Sequence, residues 1–345
     1  MKRQGRLFEK AFSMANLYEA YLDARRGKRK RRAVYGFEKS LGANLEALYR
    51  EIHSGEYRPR DYFTFNVYEP KKRLIYAPRF RDVVVQHAVY RLVYPIFDRS
   101  FLRNSFACRY GYGTHRASQY AWWALKASDP EKYILKLDVR KYFYSIDRPI
   151  LRALIERKIK DRRLVDIMMQ FAVMDGPVGI PIGNLMSQLY ALIYLNPLDH
   201  YIKRELKVEK YVRYVDDFIL FDLTRDEGLA LLGKIKDYLW SALGLTLSRV
   251  SVHKVKRGIN FVGYRTWKAF RLIRKHSLYK YRRAVKGARE ASICSLLGHA
   301  RETASLGHMI DLLRMERENG KDISIPKSYR SLYNTRLAAA SLSGG

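Results

Sequence analysis

Two adjacent carboxylates, Asp216 and Asp217, stand between two short apolar and aromatic runs in the segment YVRYVDDFILF, which begins at Tyr211. This pattern predicts a β-hairpin with the acids at its turn. Asp is common at turns because its side chain hydrogen-bonds the nearby backbone, so a solvated turn is one explanation. Two neighbouring carboxylates repel each other, however, unless a positive charge binds them. The alternative is therefore a site for a divalent metal ion.

A third carboxylate, Asp138, ends another strand-like run at 133–138, which is rich in residues that favour β-structure. Acids at the ends of neighbouring strands can hold two metal ions about 3.5–4 Å apart, the arrangement used in phosphoryl and nucleotidyl transfer. Mg²⁺ suits this chemistry because it prefers carboxylates and substrate phosphates to an all-protein cage. The three acids thus predict a nucleotidyl-transfer site with two Mg²⁺ ions, for which Mn²⁺ is a possible substitute.

The charge of the chain indicates its partner. Its 66 Lys and Arg residues against 34 Asp and Glu residues give a formal net charge of +32 over 345 residues. Cations that contact phosphates release condensed counterions, so such an excess favours binding to nucleic acid. A solubilising surface and an anionic membrane are the alternatives, but the sequence has no evident amphipathic anchor or lipidation signal. We therefore expect a nucleic-acid partner and no membrane.

Cysteine and histidine usage excludes some functions. Cys108 and Cys294 lie far apart and form no metal-ligand pattern, and the eight histidines show no zinc-like spacing. A zinc-dependent nuclease domain is therefore not expected. Sparse, unpatterned cysteines favour a reducing compartment, so we expect a cytoplasmic location.

Hydrophobic periodicity predicts the elements that must position the acids. We expect strands at 62–68, 133–138, 211–215, 218–222, 246–255 and 259–264, and helices at 41–52, 80–97, 147–160, 185–204 and 226–242. The segment from 277 to 332 is predicted to be helical. Asp147 precedes Arg148-Pro149 and is predicted to cap a helix rather than to bind metal.

Two basic segments each have two explanations. The cluster at 25–32 is either a solvated loop or an arm that contacts phosphates. Beyond Tyr264, cations alternate with aromatic residues, which is typical of a surface that follows a duplex; the alternative is an amphipathic helix with a basic outer face. The cations predicted to bind nucleic acid here are Arg274, Lys275, Arg282 and Arg283.

Six motifs in order resemble those of reverse transcriptases. The palm motifs are matched by LKLDVRKYFYSID around Asp138, IGNLMSQ at 182–188, YVDD at 214–217 and INFVGYR at 259–265. The segments KKRLIYAPRFRDVVVQHAVYRLVYPIFD at 71–98 and SFACRYGYGTHRA at 105–117 look like the fingers motifs of bacterial members.

The resemblance covers roughly residues 65 to 265 and implies an α+β right-hand polymerase fold. Such a fold has fingers, a palm built from an antiparallel sheet with helices, and a small helical thumb. The implied division is an N-terminal extension with the fingers at 1–130, the palm at 131–264 and a helical, basic thumb at 265–345.

The resemblance also implies an RNA-directed DNA polymerase with defined site residues. Asp138, Asp216 and Asp217 would be the ligands of two Mg²⁺ ions, with the Val139 carbonyl completing the shell. Phe143 matches the aromatic gate that excludes a ribose 2′-hydroxyl, although simple core packing would also explain an aromatic residue there.

The remaining expected contacts are with the deoxynucleoside triphosphate and with nucleic acid. The residues expected near the nucleotide are Lys71, Lys72, Arg73, Ile182, Gly183 and Lys254. Gly263 and Tyr264 of the last palm motif are expected at the template RNA and the RNA/cDNA duplex. Lys254 matches, less closely, a lysine that protonates pyrophosphate.

The motif IGNLMSQ departs from the usual pattern. Most reverse transcriptases, including those of group II introns and retrons, carry QGxxxSP, whereas here Ile182 replaces Gln and Gln188 replaces Pro. This variant resembles the enzymes of diversity-generating retroelements, which copy a template RNA with frequent errors at adenines to diversify a target gene. That family also has a basic accessory variability protein that binds the polymerase.

Other functions stay open at this point. A retron, group II intron or defence-associated reverse transcriptase would use the same chemistry. A non-catalytic RNA-binding protein on a polymerase scaffold is a further alternative, against which the three intact acids argue.

Overall fold

The computed structural model describes residues 3–68 and 72–343, with side chains described as far as Arg336. The chain divides into two compact units. The first unit contains Met1–Tyr110, Lys136–Phe218 and Leu229–Val250, and the second contains Gly111–Leu135, Ile219–Gly228 and Ser251–Gly345. Helices and antiparallel strand pairs occur together, which confirms the α+β class.

Four helices precede the first strand: α1 (Phe8–Ala11), α2 (Met14–Arg25), α3 (Arg32–Glu38) and α4 (Leu41–Ser54). Helix α4 confirms the helix predicted at 41–52. It ends at Gly55, whose φ of +80° lies in the left-handed region that glycine adopts without strain.

Strands β1 (Phe63–Tyr68) and β2 (Lys72–Ala77) form an antiparallel pair in which Tyr68 lies opposite Lys72. They are followed by helices α5 (Phe80–Asp98) and α6 (Thr114–Lys126). Strand β1 and helix α5 confirm the elements predicted at 62–68 and 80–97.

A four-stranded sheet carries the segments with the three acids. Its strands are β3 (Tyr133–Val139), β4 (Tyr211–Tyr214), β5 (Asp217–Leu223) and β6 (Leu247–Lys254). Their order across the sheet is β4-β5-β3-β6, so β3 and β5 are neighbours. All four strands agree with the sequence predictions within two residues.

The helices of this region are α7 (Tyr142–Ser145), α8 (Arg148–Glu156), α9 (Arg162–Gln170), α10 (Leu185–His200) and α11 (Arg225–Leu243). The single helix predicted at 147–160 is wrong in its length, because α8 ends at Glu156. Asp147 caps α8 as predicted, since its carboxylate accepts a hydrogen bond from the Ile150 N–H at 2.8 Å.

Helix α10 is the buried centre of the first unit. Its residues are apolar around most of its circumference, as expected for a helix surrounded by other elements. The Asn184 side chain caps its first turn by accepting from the Ser187 N–H at 2.7 Å. Deeper in the helix, the Tyr194 hydroxyl donates to the Leu243 carbonyl at 2.6 Å. A π-helical turn, Tyr201–Glu205, follows directly, so the helix predicted at 185–204 is confirmed.

The C-terminal part begins with three antiparallel strands, β7 (Ile259–Phe261), β8 (Tyr264–Thr266) and β9 (Arg271–Ile273). The prediction of one strand at 259–264 is wrong, because the chain reverses between β7 and β8. Val262 and Gly263 form that turn with φ values of +41° and +93°. A periodicity of two continues through so short a hairpin, and it therefore hides the reversal.

Four helices complete the second unit: α12 (Lys275–Lys286), α13 (Glu290–Ala300), α14 (Ser305–Glu318) and α15 (Arg330–Ser343). They confirm the helical character predicted for 277–332. Tyr264 and Ile273 of the strands share one apolar core with these helices. Within that core the Tyr281 hydroxyl donates to the Met309 carbonyl at 2.8 Å. Across the described residues, no helix has both the length and the apolar character needed to cross a membrane.

A fully buried ion pair links α10 to β4. The side chains of Asp199 and Arg213 are both 0% exposed. Arg213 Nε donates to one carboxylate oxygen at 2.7 Å and Nη2 donates to the other, while the Tyr211 hydroxyl donates to Asp199 at 2.7 Å. Good geometry and a third donor are what such a pair needs to offset the loss of hydration.

We expect Arg213→Met to lower the free energy of unfolding by about 3–5 kcal/mol, because it leaves the Asp199 carboxylate buried without its counter-charge. The matched control is Arg152→Met, which breaks an ion pair with Asp166 whose side chains are 38% and 57% exposed. That change should alter the free energy of unfolding by less than about 1 kcal/mol. Denaturant unfolding of both variants measures the difference, and equal losses would contradict the assigned role of burial.

Candidate active site

The first unit brings together the segments that carry the three acids. Asp138 is the penultimate residue of β3, Asp216 lies in the turn after β4, and Asp217 begins β5. The Val139 N–H donates to the Asp216 carbonyl at 3.2 Å. This hydrogen bond ties the end of β3 to the turn.

The turn that presents Asp216 has an unusual backbone. Val215 has a φ of +57°, a region that β-branched residues rarely adopt because of steric strain. Arg213 Nη1 donates to the Val215 carbonyl at 2.9 Å while the same guanidinium binds Asp199. The Arg213 guanidinium of the buried ion pair therefore stabilises the strained turn through the Val215 carbonyl.

Asp216 lies in an environment that disfavours its charge. Burial raises the pKa of its carboxyl group to about 6, and the negative charges of Asp138 and Asp217 add to the effect. A hydrogen bond from its own backbone and the Arg73 guanidinium act in the opposite direction. Because clustered carboxylates need a cation to remain ionised together, the donor set fits a hard divalent metal ion.

The other two acids bind neighbouring side chains. The Ser248 hydroxyl donates to the Asp138 carboxylate, and Lys136 Nζ lies 2.7 Å from Asp217 Oδ2. Nowhere in the described part of the chain do three Asp, Glu, His or Cys side chains converge so that they could hold one metal ion. The structure thus brings the acids into one region but gives Asp217 a cationic partner.

Two of the basic residues predicted at the triphosphate lie in strand β2. Lys72 and Arg73 are exposed at the start of β2, opposite Tyr68 and Val67. Arg73 is close enough for its charge to act on Asp216. Lys71 lies outside the described residues.

Phe143 differs from its aromatic neighbour. The Tyr142 ring is fully buried, and its hydroxyl donates to the Ala191 carbonyl at 2.6 Å. Phe143 is only partly buried, and its carbonyl accepts from the Ile180 N–H at 2.8 Å. Tyr142 is therefore the core residue of this pair, whereas Phe143 is only half-buried.

The backbone of Ile182 and Gly183 lies directly against strand β2. The Ile182 carbonyl accepts from the Tyr76 N–H at 2.7 Å. Gly183 has a φ of +120°, and a Cβ atom at this position would lie 2.6 Å from Ile75 Cγ2. A larger residue would therefore be strained and would push β2 away.

Lys254 and the last palm motif lie in the second unit. Lys254 Nζ binds Glu131 at 2.6 Å, and Lys256 binds the other oxygen of that carboxylate. These two ammonium groups lower the pKa of Glu131 to about 2. The role predicted for Lys254 stays a prediction.

Tyr264 was predicted to bind nucleic acid, but its side chain is 1% exposed. Its hydroxyl donates to the His299 carbonyl at 2.8 Å, and its ring stacks on the His299 ring at 4.4 Å between centroids. A Cβ atom on Gly263 would lie 2.9 Å from the same ring. The Tyr264 ring therefore supports the turn from inside, and the contact with nucleic acid predicted for this residue stays a prediction.

The four cations predicted to bind nucleic acid all lie at helix α12 and are exposed: Arg274, Lys275, Arg282 and Arg283. The opposite face of the helix is buried at Tyr281, Ala284 and Val285. Helix α12 is therefore amphipathic with a basic outer face, and this surface is available to phosphates.

Sequence reasoning missed Lys136, Ser248 and the ion pair beneath the turn. Lys136 had a detectable signal, since side chains two residues apart in a strand lie on one face and Asp138 follows at that spacing. A charged residue within the apolar run of β4 was a comparable signal for Arg213. Ser248 had no such signal, because a serine in an exposed strand is unremarkable in sequence.

Comparisons with known proteins identify the class and the family. A structure of telomerase from Candida albicans in complex with a TWJ fragment of telomeric RNA aligns with a TM-score of 0.51 and 13% identity, covering 82% of this chain and 58% of that chain. The fold is therefore that of a right-hand polymerase. Residues 69–266 match the family Reverse transcriptase (RNA-dependent DNA polymerase). The match spans more than half of the chain, which belongs to this family and is an RNA-directed DNA polymerase.

Two curated relatives are similar at the sequence level. Protein YkfC of Escherichia coli (strain K12) is 25% identical over 299 residues, which cover 71% of this chain and 75% of that protein. The group II intron-encoded protein LtrA of Lactococcus lactis subsp. cremoris is 25% identical over 172 residues, or 46% of this chain and 28% of LtrA.

We expect Asp216→Asn to stabilise the metal-free protein in a pH-dependent manner. The pKa of Asp216, about 6, is above its ordinary value of 3.8, so the neutral form favours folding and this contribution is lost as the pH rises through 6. The advantage of the variant should grow by roughly 2 kcal/mol between pH 4.5 and pH 7.5. Denaturant unfolding with a chelator present measures it. An advantage that does not change with pH would contradict the assigned environment.

Proposed function

We propose that the protein is the reverse transcriptase of a diversity-generating retroelement, which makes error-prone, adenine-mutagenised cDNA from a template RNA. The observation that carries this proposal is Ile182, an aliphatic residue at a place where most reverse transcriptases have Gln. Its carbonyl accepts a hydrogen bond from the Tyr76 N–H of β2, the strand that also carries Lys72 and Arg73, which are proposed to bind the triphosphate. The cDNA would diversify a target gene.

In this proposal Asp138 and Asp216 hold magnesium, or manganese in its place, with the Val139 carbonyl as a further ligand. The resemblance extends the same role to Asp217. The chemistry that such ions supply is a lowered pKa of the primer 3′-hydroxyl and neutralisation of the triphosphate.

The protein itself would supply positioning and charge. Lys71, Lys72 and Arg73 would bind triphosphate oxygens, because flexible or forked cations match them. The Phe143 ring would limit the space beside the 2′-position of the sugar of the incoming nucleotide.

The second unit would hold the nucleic acid. The exposed cations of α12 would contact backbone phosphates of the template RNA and the RNA/cDNA duplex, and Gly263 would allow the backbone turn to approach them. Lys254 would protonate pyrophosphate. A basic accessory variability protein is the further partner that the family resemblance implies.

A group II intron-type enzyme is the second candidate. Similarity to LtrA over 46% of this chain favours it. Flanking DNA would discriminate, because a template repeat with a matching variable repeat is expected only for the first proposal. The two proposals also differ in the errors that they predict.

DNA synthesis on an RNA template should require Asp138 and Asp216. Asp138→Asn and Asp216→Asn keep the side-chain shape but remove the charge, and each should lower primer extension with Mg²⁺ by at least about a thousandfold. Asp147→Asn is the matched control, since Asp147 caps a helix. Undiminished extension by either active-site variant, with folding intact, would refute that residue's role.

Selectivity for deoxynucleotides should depend on Phe143. Phe143→Ala opens space for a 2′-hydroxyl and should raise the use of ribonucleotides relative to deoxynucleotides by about tenfold or more, equal to about 1.4 kcal/mol. The control is Tyr142→Phe, which alters the buried neighbour and should leave selectivity unchanged. Competitive primer extension measures the ratio of ribonucleotide to deoxynucleotide use. If this ratio is unchanged in Phe143→Ala, the residue serves core packing and not selectivity.

Fidelity should depend on Ile182. A Gln side chain can hydrogen-bond near the nascent base pair, whereas Ile offers neither donor nor acceptor. Losing one orienting contact can raise misincorporation by roughly an order of magnitude, since about 1.4 kcal/mol corresponds to a factor of ten. Ile182→Gln should therefore lower the error rate, and Ile182→Val should leave it high.

The experiment copies one RNA with each variant, adding the accessory protein if it is required, and sequences the cDNA. The diversity-generating assignment fails if wild-type errors are no more frequent opposite template adenine than opposite other bases. The mechanism fails if Ile182→Gln leaves an elevated error rate unchanged. Low, evenly distributed errors would favour the group II intron-type enzyme.

A further inference from the structure

A cavity of about 530 Å³, the α10 cavity, lies beside helix α10 within the first unit. Its volume is in the range of small-molecule sites, about 300–1,000 Å³. None of the three acids is among its lining residues. One wall is formed by α10 and by the π-helical turn that follows it, a kind of turn that is frequent at functional sites. The residues of this wall that line the cavity include Ile193, Asn196, Pro197, His200, Tyr201 and Arg204.

Two buried acceptors in this wall have no donor. Asn196 Oδ1 and His200 Nδ1 each lack a hydrogen-bond partner among the described residues. His200 Nε2 lies 3.0 Å from the Ser100 carbonyl, which can only accept, so Nε2 carries the proton and Nδ1 of the neutral ring bears a lone pair. Residues four apart lie on the same face of a helix, so the two acceptors face one space. A buried acceptor without a donor is unfavourable, and a group with two donor hydrogens would satisfy both.

Cations surround the same space. Arg157 and Arg204 are exposed and Lys158 is half-buried, and the Glu205 carboxylate is the acidic group among the described lining residues. Three cations against one carboxylate leave an excess of two positive charges. Forked and flexible cations match phosphate oxygens, so the charge of the cavity favours a phosphorylated ligand.

An aromatic pair lies next to these cations. The Tyr201 and Tyr238 rings stack with their centroids 4.2 Å apart and their planes inclined by 10°. Burial raises the pKa of the Tyr238 hydroxyl, and the Arg157 guanidinium acts in the opposite direction, so this cation lies near that hydroxyl. Aromatic rings beside cations are suited to a nucleotide, whose base packs on the rings while its phosphate binds the cations.

We propose that the α10 cavity binds an adenosine phosphate, either as a free nucleotide or as an adenosine residue of RNA. The amino group of adenine has two hydrogens, which satisfy Asn196 Oδ1 and His200 Nδ1. The Asn amide also pairs with adenine in a bidentate manner, because its N–H donates to a ring nitrogen while its oxygen accepts from the amino group. Arg157 and Arg204 bind the phosphate. This site is separate from the three acids and does not depend on the proposed polymerase function.

The test measures AMP binding to the full chain by isothermal titration calorimetry, with a chelator and without nucleic acid, so that metal-dependent binding at the acids does not contribute. IMP has an oxygen in place of the amino group and leaves both acceptors unpaired, so it should bind at least about tenfold more weakly than AMP. Adenosine lacks the phosphate and should also bind at least about tenfold more weakly. Asp216→Asn should bind AMP as wild type does, because Asp216 does not line the cavity.

Asn196→Leu keeps a similar side-chain shape but removes one acceptor. Its affinity for AMP should fall by about tenfold or more, and its preference for AMP over IMP should decrease. The matched control is Gln170→Met, since Gln170 Oε1 is also buried without a partner but lies outside the cavity, and this variant should bind AMP as wild type does. Because Asn196 Oδ1 makes no hydrogen bond in the free protein, Asn196→Leu should not lower the denaturant concentration at which the protein unfolds.

Arg204→Met tests the phosphate contact. It should weaken AMP binding by about tenfold and leave adenosine binding unchanged, because only AMP carries the charge that Arg204 binds. Lys234→Met, at an exposed position of α11 outside the cavity, is the control and should change neither affinity.

Several results would overturn the proposal. These are the absence of AMP binding at millimolar concentration, equal affinities for AMP and IMP, and an Asn196→Leu variant that binds AMP as wild type does. Binding of CMP as tight as that of AMP would contradict the assignment of adenine. Competition with a short oligoadenylate then distinguishes the two sources of the ligand. Displacement of AMP by oligoadenylate but not by oligouridylate identifies RNA, whereas failure of both to displace it identifies the free nucleotide.

Discussion

The buried ion pair between Asp199 and Arg213 is the interaction on which the turn that presents Asp216 depends. One guanidinium group binds a carboxylate of α10 and also the carbonyl of Val215, which has a left-handed backbone. Strain of this kind persists only where surrounding contacts over-determine the conformation. Because α10 is itself the buried centre of the first unit, the position of Asp216 is fixed relative to that centre.

Placing Asp216 in this way has an electrostatic consequence. The carboxyl group is buried near two others, and its raised pKa shows that the bare site is unfavourable for charge. Different groups contact the other two acids. The Ser248 hydroxyl donates a hydrogen bond to Asp138, whereas the Lys136 ammonium group forms an ion pair with Asp217. A site that is strained by its own charge in the absence of a cation is suited to bind one.

The sequence predicted the strands, most helices and the position of the three acids at strand ends because these features produce local signals. Hydrophobic alternation marks β3 and β5, and paired carboxylates at a turn are conspicuous. The hairpin at Val262-Gly263 was missed because a short reversal preserves alternation, and the burial of Tyr264 was missed because it depends on His299, far along the chain. The partner of Lys136 was equally invisible, since it depends on which strands are neighbours.

The most direct test removes the contact that positions the turn while keeping the free energy of unfolding close to that of wild type. The triple variant Tyr211→Phe/Asp199→Leu/Arg213→Met replaces the buried polar cluster with apolar side chains, which often restores stability. Its free energy of unfolding should approach that of wild type, but the kcat of primer extension should fall roughly a hundredfold because Val215 loses its donor. Tyr211→Phe alone is the control and should retain activity. Wild-type kcat in a stable triple variant would contradict the central role of the ion pair.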